Sequence, residues 1–484
     1  MGIKQRSFIP CRWKSNGRSW TMPKASSTSL SPLLTKACPS GHRHTTISEH
    51  WHCSKPACSR MQQARGLTSR MCLPNTTRPT SGPLRINTNL QITMGNEHMT
   101  TIPDLTERDR RLARIRAAMA EENLDGLFVA GKGHWWTGRG YFRYLTDFHI
   151  WGHDGLIFIP RQEEPFLAFS SYAVAERIAA RGWITDVRGD VYIAPRMAAE
   201  CVARGYGKAR IGVAGHQFIL GAGTMELLAS EMPDAEFVIA DDLLNRVRAV
   251  KSELEMCQES ELWDLAKSAM ERFVEVLQPG ATQRELAAEA SRVALAGGAR
   301  DILVFVGERP GEHEPPQDTP LRCDDIVRYH MEILGPSGHW CELTVNCAYR
   351  NPTDQELKLM DSELLAFDRI RAAARPGTHL SEMAGIFEQT MQEQGWELGA
   401  TTTAFDFHGQ GMDTIEYPWF SAAPGWGKSQ DWPLEAGMVF SYHPKRNIVN
   451  GPAWSTGINE DIRITPTGAE TFSGDWSHRW RRMG

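Results

Sequence analysis

From Thr106 the apolar positions of the chain recur at helical spacing through RRLARIRAAMAEENL, then run together at 126–130 and, beyond a loop, at 155–159. Runs at 165–169, 210–214 and 236–240 read as further strands with helical stretches between them. Strands alternating with helices predict a layered α/β domain over residues 104–249, with a mostly parallel or mixed sheet. A second region, 250–476, opens with helical spacing over 251–277, which Pro279-Gly280 stops. Thr282 followed by Glu285 spells a capping box, so another helix starts there and runs to about Leu295. The arrangement recurs 97 residues later, where Pro376-Gly377 follows a helical stretch at 357–374 and Glu382 stands at the offset of Glu285. Two helix, Pro-Gly, helix units of similar length, each followed by strands, predict a pseudo-twofold domain.

Residues 1–98 break this pattern. They hold fourteen Lys or Arg against only Glu49 and Glu97, a local balance of +12; the whole chain carries −5, so the remainder carries −17. The stretch is rich in Ser, Thr and Pro without apolar periodicity and reads as a disordered leader. An organelle transit peptide would need an amphipathic stripe that is missing, and a zinc site at His50, His52, Cys53 and Cys58 lacks paired spacing. The preferred reading is upstream sequence ahead of a start at Met94 or Met99. The acidic remainder argues against a nucleic-acid partner. No run of about 18 apolar residues suggests a membrane span. Cys201, Cys257, Cys323, Cys341 and Cys347 are expected as reduced, buried thiols of a cytoplasmic protein.

The segment 250–290, VKSELEMCQESELWDLAKSAMERFVEVLQPGATQRELAAEA, together with YFRYLTDF at 141–148, resembles the pita-bread family of creatinase, prolidase and aminopeptidase P. The resemblance covers about residues 106–475. It implies a creatinase-like N-terminal α/β domain followed by a pita-bread domain, and a homodimer. Peptidases of this family hold two metal ions with two Asp, one His and two Glu, and several of those residues are altered here. In DDIVRYHMEILGPSGHWCELTVN the resemblance puts His330 at the first Asp, with Met331 or Glu332 as alternatives should the hairpin register differ. Glu342 stands for the second Asp. His408 in FHGQGMDTIEYP keeps the ligand His, while Ile415 replaces a later His and Glu416 is retained. LEAGMVFSYHP puts His443 at the first Glu, and the shortened GINED puts Glu460 at the second. His313, 17 residues before His330, occupies the place of the substrate-contacting His that serves creatinase as its base.

His330, Glu342, His408, His443 and Glu460 are the candidate metal ligands, an imidazole and carboxylate set suited to Zn, Mn, Fe or Ni; the expectation is no metal, in a creatinase-like scheme, or one such ion, a dinuclear site being disfavoured by the lost carboxylates. His313, His408 and Glu416 are the catalytic candidates, and Arg143, Trp136 and Glu342 the substrate-binding ones. Trp136, in the HWW segment, and the Trp-rich 419–432 loop could cage a cation. The expected activity is hydrolysis of a C–N bond in a small nitrogenous or amino-acid-derived substrate, with His313 as acid or base. Alternatives are a metal-dependent Xaa-Pro dipeptidase or aminopeptidase, a metal-dependent lyase of a dimethylsulfoniopropionate-like substrate, and a non-catalytic binding protein.

Overall fold

The computed structural model describes residues 105–133, 137–307, 315–322, 326–401, 405–422, 430–452 and 457–483. The expectations for the leader, Trp136, His313 and Cys323 fall outside these residues.

The first half runs α1 (Thr106–Glu121), β1 (Gly126–Lys132), α2 (Arg139–Thr146), β2 (Asp154–Pro160), β3 (Phe166–Phe169), α3 (Tyr172–Arg181), β4 (Val187–Gly189), α4 (Ile193–Ala203), β5 (Arg210–Ala214), α5 (Ala222–Glu231), β6 (Glu236–Ile239) and α6 (Asp241–Ala249). Its sheet has the order β4-β3-β2-β1-β5-β6. The sheet is mixed: β2 is antiparallel to both β1 and β3, whereas β1/β5, β5/β6 and β3/β4 are parallel. Both faces are covered, which is why β1 and β2 read as unbroken apolar runs. The loop expected between 130 and 155 contains helix α2 at 139–146. Tyr141, Phe142, Tyr144 and Leu145 recur at one-, three- and four-residue intervals and all face the core. The three-residue β4 carries no apolar run of its own and was not foreseen.

The second half runs α7 (Glu253–Val276), α8 (Gln283–Ala296), β7 (Asp301–Gly307), β8 (Ile326–Leu334), β9 (Trp340–Ala348), α9 (Asp354–Ala373), α10 (Leu380–Glu393), β10 (Leu398–Thr401), β11 (Phe407–Gly409), β12 (Glu416–Phe420), β13 (Val439–Tyr442), β14 (Arg446–Ile448), β15 (Glu460–Ile464), β16 (Ala469–Thr471) and β17 (Arg481–Arg482). Ser252/Glu255, Thr282/Glu285 and Thr353/Glu356 all form reciprocal capping boxes. The repeat extends to the backbone. Gly280 and Gly377 both take left-handed φ, +83° and +93°, at the turn that only glycine enters without strain. The residues beyond them form matching antiparallel bridges, Thr282 to Pro320 and His379 to Pro433. Each helix pair then covers its own sheet, α7/α8 over β8 and β9 and α9/α10 over β11, β13 and β15. Phe273 stacks on Tyr329 with centroids 3.9 Å apart, an aromatic pair contributing about 1 kcal/mol beyond its area. Of the thiols, Cys201, Cys341 and Cys347 are buried, but Cys257 is exposed on α7, contrary to expectation.

Candidate active site

Strand parity builds the first wall. In β8, Val327, Tyr329, Met331 and Ile333 pack into the core under α7, so Arg328, His330 and Glu332 take the opposite face. In β9 the same holds for Cys341, Leu343, Val345 and Cys347 against Glu342, Thr344 and Asn346. The register sets Glu332 opposite Glu342 and His330 opposite Thr344. Met331 is thereby excluded from the site, and both His330 and Glu332 enter it.

The second wall comes from β11, β13 and β15. His408 pairs with Ser441 and Ser441 with Asp461, which puts them on one face; Phe407, Tyr442 and Glu460 share the other. His443 and Asn459 follow that alternation onto the His408 face. The two walls meet where the Glu342 amide donates to Asp461 Oδ2 at 3.4 Å and where His408 Nε2 lies 2.8 Å from Glu342 Oε1. One ligand atom from each of Glu342, His408 and His443 falls within a 4.8 Å cluster, and so does one from each of His330, Glu332 and Glu342. All except Glu332 are buried.

Hydrogen bonding fixes the protons. His408 Nδ1 faces the Gly409 carbonyl at 2.9 Å, so it must donate, and Nε2 is left for Glu342 or for an ion. Burial opposes the His408 charge, but Glu342 outweighs it and raises its pKa above the usual imidazole value. Burial likewise opposes the Glu342 charge, and His408 followed by His443 and His330 holds that carboxyl well below its ordinary range. Without an ion the two form an imidazolium–carboxylate pair. Burial keeps His443 neutral, lowers His330 to about 3 and, with Glu342 opposite, drives Glu332 well above 4.5. A protonated Glu332 therefore donates to His330 Nε2 (3.2 Å), whose Nδ1–H donates to Thr344 Oγ1 (3.1 Å). Thr344 donates to Asn459 Oδ1 (3.0 Å), and Asn459 Nδ2 donates to Glu342 Oε2 (3.3 Å). The chain runs from one carboxyl to the other.

Other candidates stand elsewhere. Glu460 is directed to His478 Nε2 (3.0 Å) and the Ser473 amide, because the β13/β15 register puts it beside Tyr442 on the far face; Asn459 takes the place facing Glu342. The one-residue-shorter GINED had hidden this offset. Glu416 is held by Lys251 Nζ (2.7 Å), Arg248 and the Met412 amide (2.7 Å), away from the Glu342 and His408 cluster. Arg143 pairs with Asp147 (2.8 Å) and packs on Gly338 at the β8–β9 turn, and no contact among the described residues joins it to Glu342, His408 or His443. Asn459, Thr344, Arg328 and Lys445 were not singled out from sequence; the only available signal was parity with His330 and His443.

The profile of metallopeptidase family M24 matches residues 261–466, and that of the creatinase/prolidase N-terminal domain matches 111–250. The chain belongs to the pita-bread family M24. This M24 chain is 24% identical over 377 residues to a Bacillus subtilis protein named as a dipeptidase, YkvY, covering 74% of this chain and 96% of that one. It is 25% identical over 292 residues to the ectoine hydrolase of Halomonas elongata, covering 56% and 69%. The dipeptidase PepE of Mycobacterium ulcerans shares the fold, with a TM-score of 0.64 at 20% identity over 78% of this chain and 99% of that one. The pseudo-twofold second half is thus a pita-bread domain preceded by the creatinase-type α/β region, and this M24 chain stands among hydrolases. Among the described residues no helix is long and apolar enough to cross a membrane.

Proposed function

We propose that the chain hydrolyses a C–N bond in a small nitrogenous or amino-acid-derived substrate, with one divalent transition metal held by Glu342, His408 and His443. The observation carrying this reading is the buried convergence of those three side chains, with His408 Nδ1 anchored on a backbone carbonyl so that Nε2 is presented as a ligand. Imidazole and carboxylate donors suit Zn, Mn, Fe or Ni, and such an ion would supply Lewis acidity toward a carbonyl and toward water. A second ion fits less well, since a neutral amide, Asn459, faces Glu342.

The protein's own groups divide the proton work. Glu332 and Glu342 face each other across β8 and β9, Glu332 held protonated as the acid and Glu342 ionised as the ligand. Glu332 delivers a proton to the leaving nitrogen, and His330, Thr344 and Asn459 carry the hydrogen-bond chain back to Glu342. His313 is the proposed base toward water. The test is elemental analysis of the purified chain plus a panel of N-acyl amino acids, Xaa-Pro dipeptides and cyclic amidines. One metal per chain is expected, with turnover on a member of the panel and a loss of at least about 100-fold in kcat in Glu342→Gln and Glu332→Gln. Full turnover in Glu342→Gln, or none on the panel by the metal-loaded protein, would overturn the reading.

A further inference from the structure

The two sheets of the second half meet where the Trp340 amide donates to the Gly411 carbonyl at 2.7 Å, and α7 lies over this seam. Four buried polar side chains converge on it. Asp461 and Ser441 stand opposite each other on β15 and β13, on the face that carries His408. Gln410 follows His408 by two residues and keeps to that side, its amide donating to the Val439 carbonyl. α7 contributes Glu259. One turn further on, Trp263 donates its indole N–H to Asp461 Oδ2 at 3.0 Å, which seats this face of the helix over the acid. All four residues are at most 1% exposed. Both Glu259 carboxyl oxygens, Asp461 Oδ1, Gln410 Oε1 and Ser441 Oγ nevertheless have no hydrogen-bond partner among the described residues.

Five such oxygens make a surplus of acceptors. An unpaired polar atom in the interior costs about 1–3 kcal/mol, and a carboxylate more. Burial pushes the Glu259 carboxyl well above its ordinary range, and Glu259 in turn acts on Asp461. Lys251 offsets the Glu259 charge only in part, because its ammonium is bound to Glu416 at 2.7 Å and to the Arg248 carbonyl at 2.9 Å. The unpartnered set is oxygen throughout: two carboxyls, an amide carbonyl and a hydroxyl. Such donors select a hard cation, and two carboxylates balance a divalent one without leaving net charge in the interior. Glu259, with both oxygens unpartnered, is able to bind in the bidentate manner of calcium sites, whereas magnesium demands a regular octahedron and retains water. The imidazole-rich cluster of Glu342, His408 and His443 has the opposite preference, for transition metals.

We propose that Glu259, Gln410, Ser441 and Asp461 form a structural cation site of calcium type, separate from the reaction site and independent of the chemistry performed there. Asp461 joins the two. Its Oδ2 receives the Glu342 amide at 3.4 Å, while Oδ1 takes the ion. The ion thereby clamps α7 and β15 to the end of β9 from which Glu342 projects.

The test uses the full chain, stripped with a chelator, in calorimetric titrations and thermal melts with calcium, magnesium, sodium and potassium chlorides at matched ionic strength. One calcium per chain is expected, with a rise in Tm of about 3 °C at about a hundred times its Kd. Magnesium should bind about tenfold more weakly, and sodium or potassium should give no comparable rise. Glu259→Gln should weaken calcium by about tenfold or more, and Gln410→Met, which leaves both carboxyls in place, by several-fold. Glu259→Leu should abolish the response and melt no lower than the stripped parent, because it removes an unpaired buried carboxyl; a merely structural glutamate would give a lower melting temperature. Combining Glu342→Gln with His408→Ala removes the reaction-site ligands and should leave the calcium response intact. The site is overturned by a parent that ignores calcium, by an equal response to sodium or potassium, by tighter binding of magnesium, by a response that survives both Glu259 substitutions, or by one that disappears with the reaction-site ligands.

Discussion

Glu416→Gln distinguishes a catalytic glutamate from a structural one. The carboxylate is buried and takes hydrogen bonds from Lys251, Arg248 and the Met412 amide. Burial would raise its pKa, yet Arg248 and then Lys251 hold it down from 4.5 to about 2. A carboxyl lowered that far stabilises the fold by about 3 kcal/mol at neutral pH, in line with the roughly 3–5 kcal/mol lost when one partner of a buried pair is removed. The contribution is complete above the unfolded value and declines as the pH falls through the folded one, so about half should remain near pH 3. For a folded body of roughly 380 residues the unfolding entropy is about 0.8 kcal/mol per degree, and 3 kcal/mol lowers Tm by about 4 °C. Calorimetric melts of the parent and variant at pH 7 and pH 3 should show a gap that narrows on acidification, with turnover retained within a few-fold. A variant that melts like the parent and loses turnover 100-fold would refute this argument and return Glu416 to the reaction.

Metal binding at His408 has to displace the proton that Glu342 stabilises there, so cobalt affinity, read from its absorption, should fall about tenfold per pH unit below the raised imidazole pKa; a flat profile from pH 8 to 5 would contradict the assignment. Gly140→Ala drives a Cβ into Asp413 Oδ2 and to 2.6 Å from Arg248 Nη2, and should cost about 1–3 kcal/mol in thermal melts. Glu460→Gln should keep its metal by elemental analysis while losing about 1–3 kcal/mol through His478; loss of metal with unchanged stability would make it a ligand after all.

Much of the fold was legible because its signals are local. The Thr282–Glu285 capping box and the twin Pro-Gly stops depend on neighbouring residues only, and the structure forms matching turns at both. In the site, legibility followed register. His408 and His443 could be placed because their strands carry distinctive flanking words, GQG and Pro444. His330, Met331 and Glu332 could not be separated, since a one-residue slip in the β8–β9 hairpin exchanges the faces; the Glu332 to Glu342 pairing resolves them. A separate one-residue offset, in the shortened GINED segment, puts Asn459 rather than Glu460 on the His408 face. The setting of Glu416 was hidden for a different reason. Its partners Arg248 and Lys251 stand 168 and 165 residues away in sequence, and no spacing rule reaches that far.

The Asp413 carboxylate accepts from the Gly138 and Gly140 amides at 2.8 and 2.9 Å and from Arg248 at 2.9 Å, all three contributed by the region ahead of Val250. A shortened gene starting at Val250 would therefore code for a body with a buried acid stripped of every one of those donors, on the Met412–Glu416 turn that leads away from His408. Such a product is expected to aggregate rather than to behave as a minimal enzyme. The creatinase-type portion thus sets the smallest viable expression unit, and swapping it between relatives requires carrying Gly138, Gly140 and Arg248 along with their acceptor.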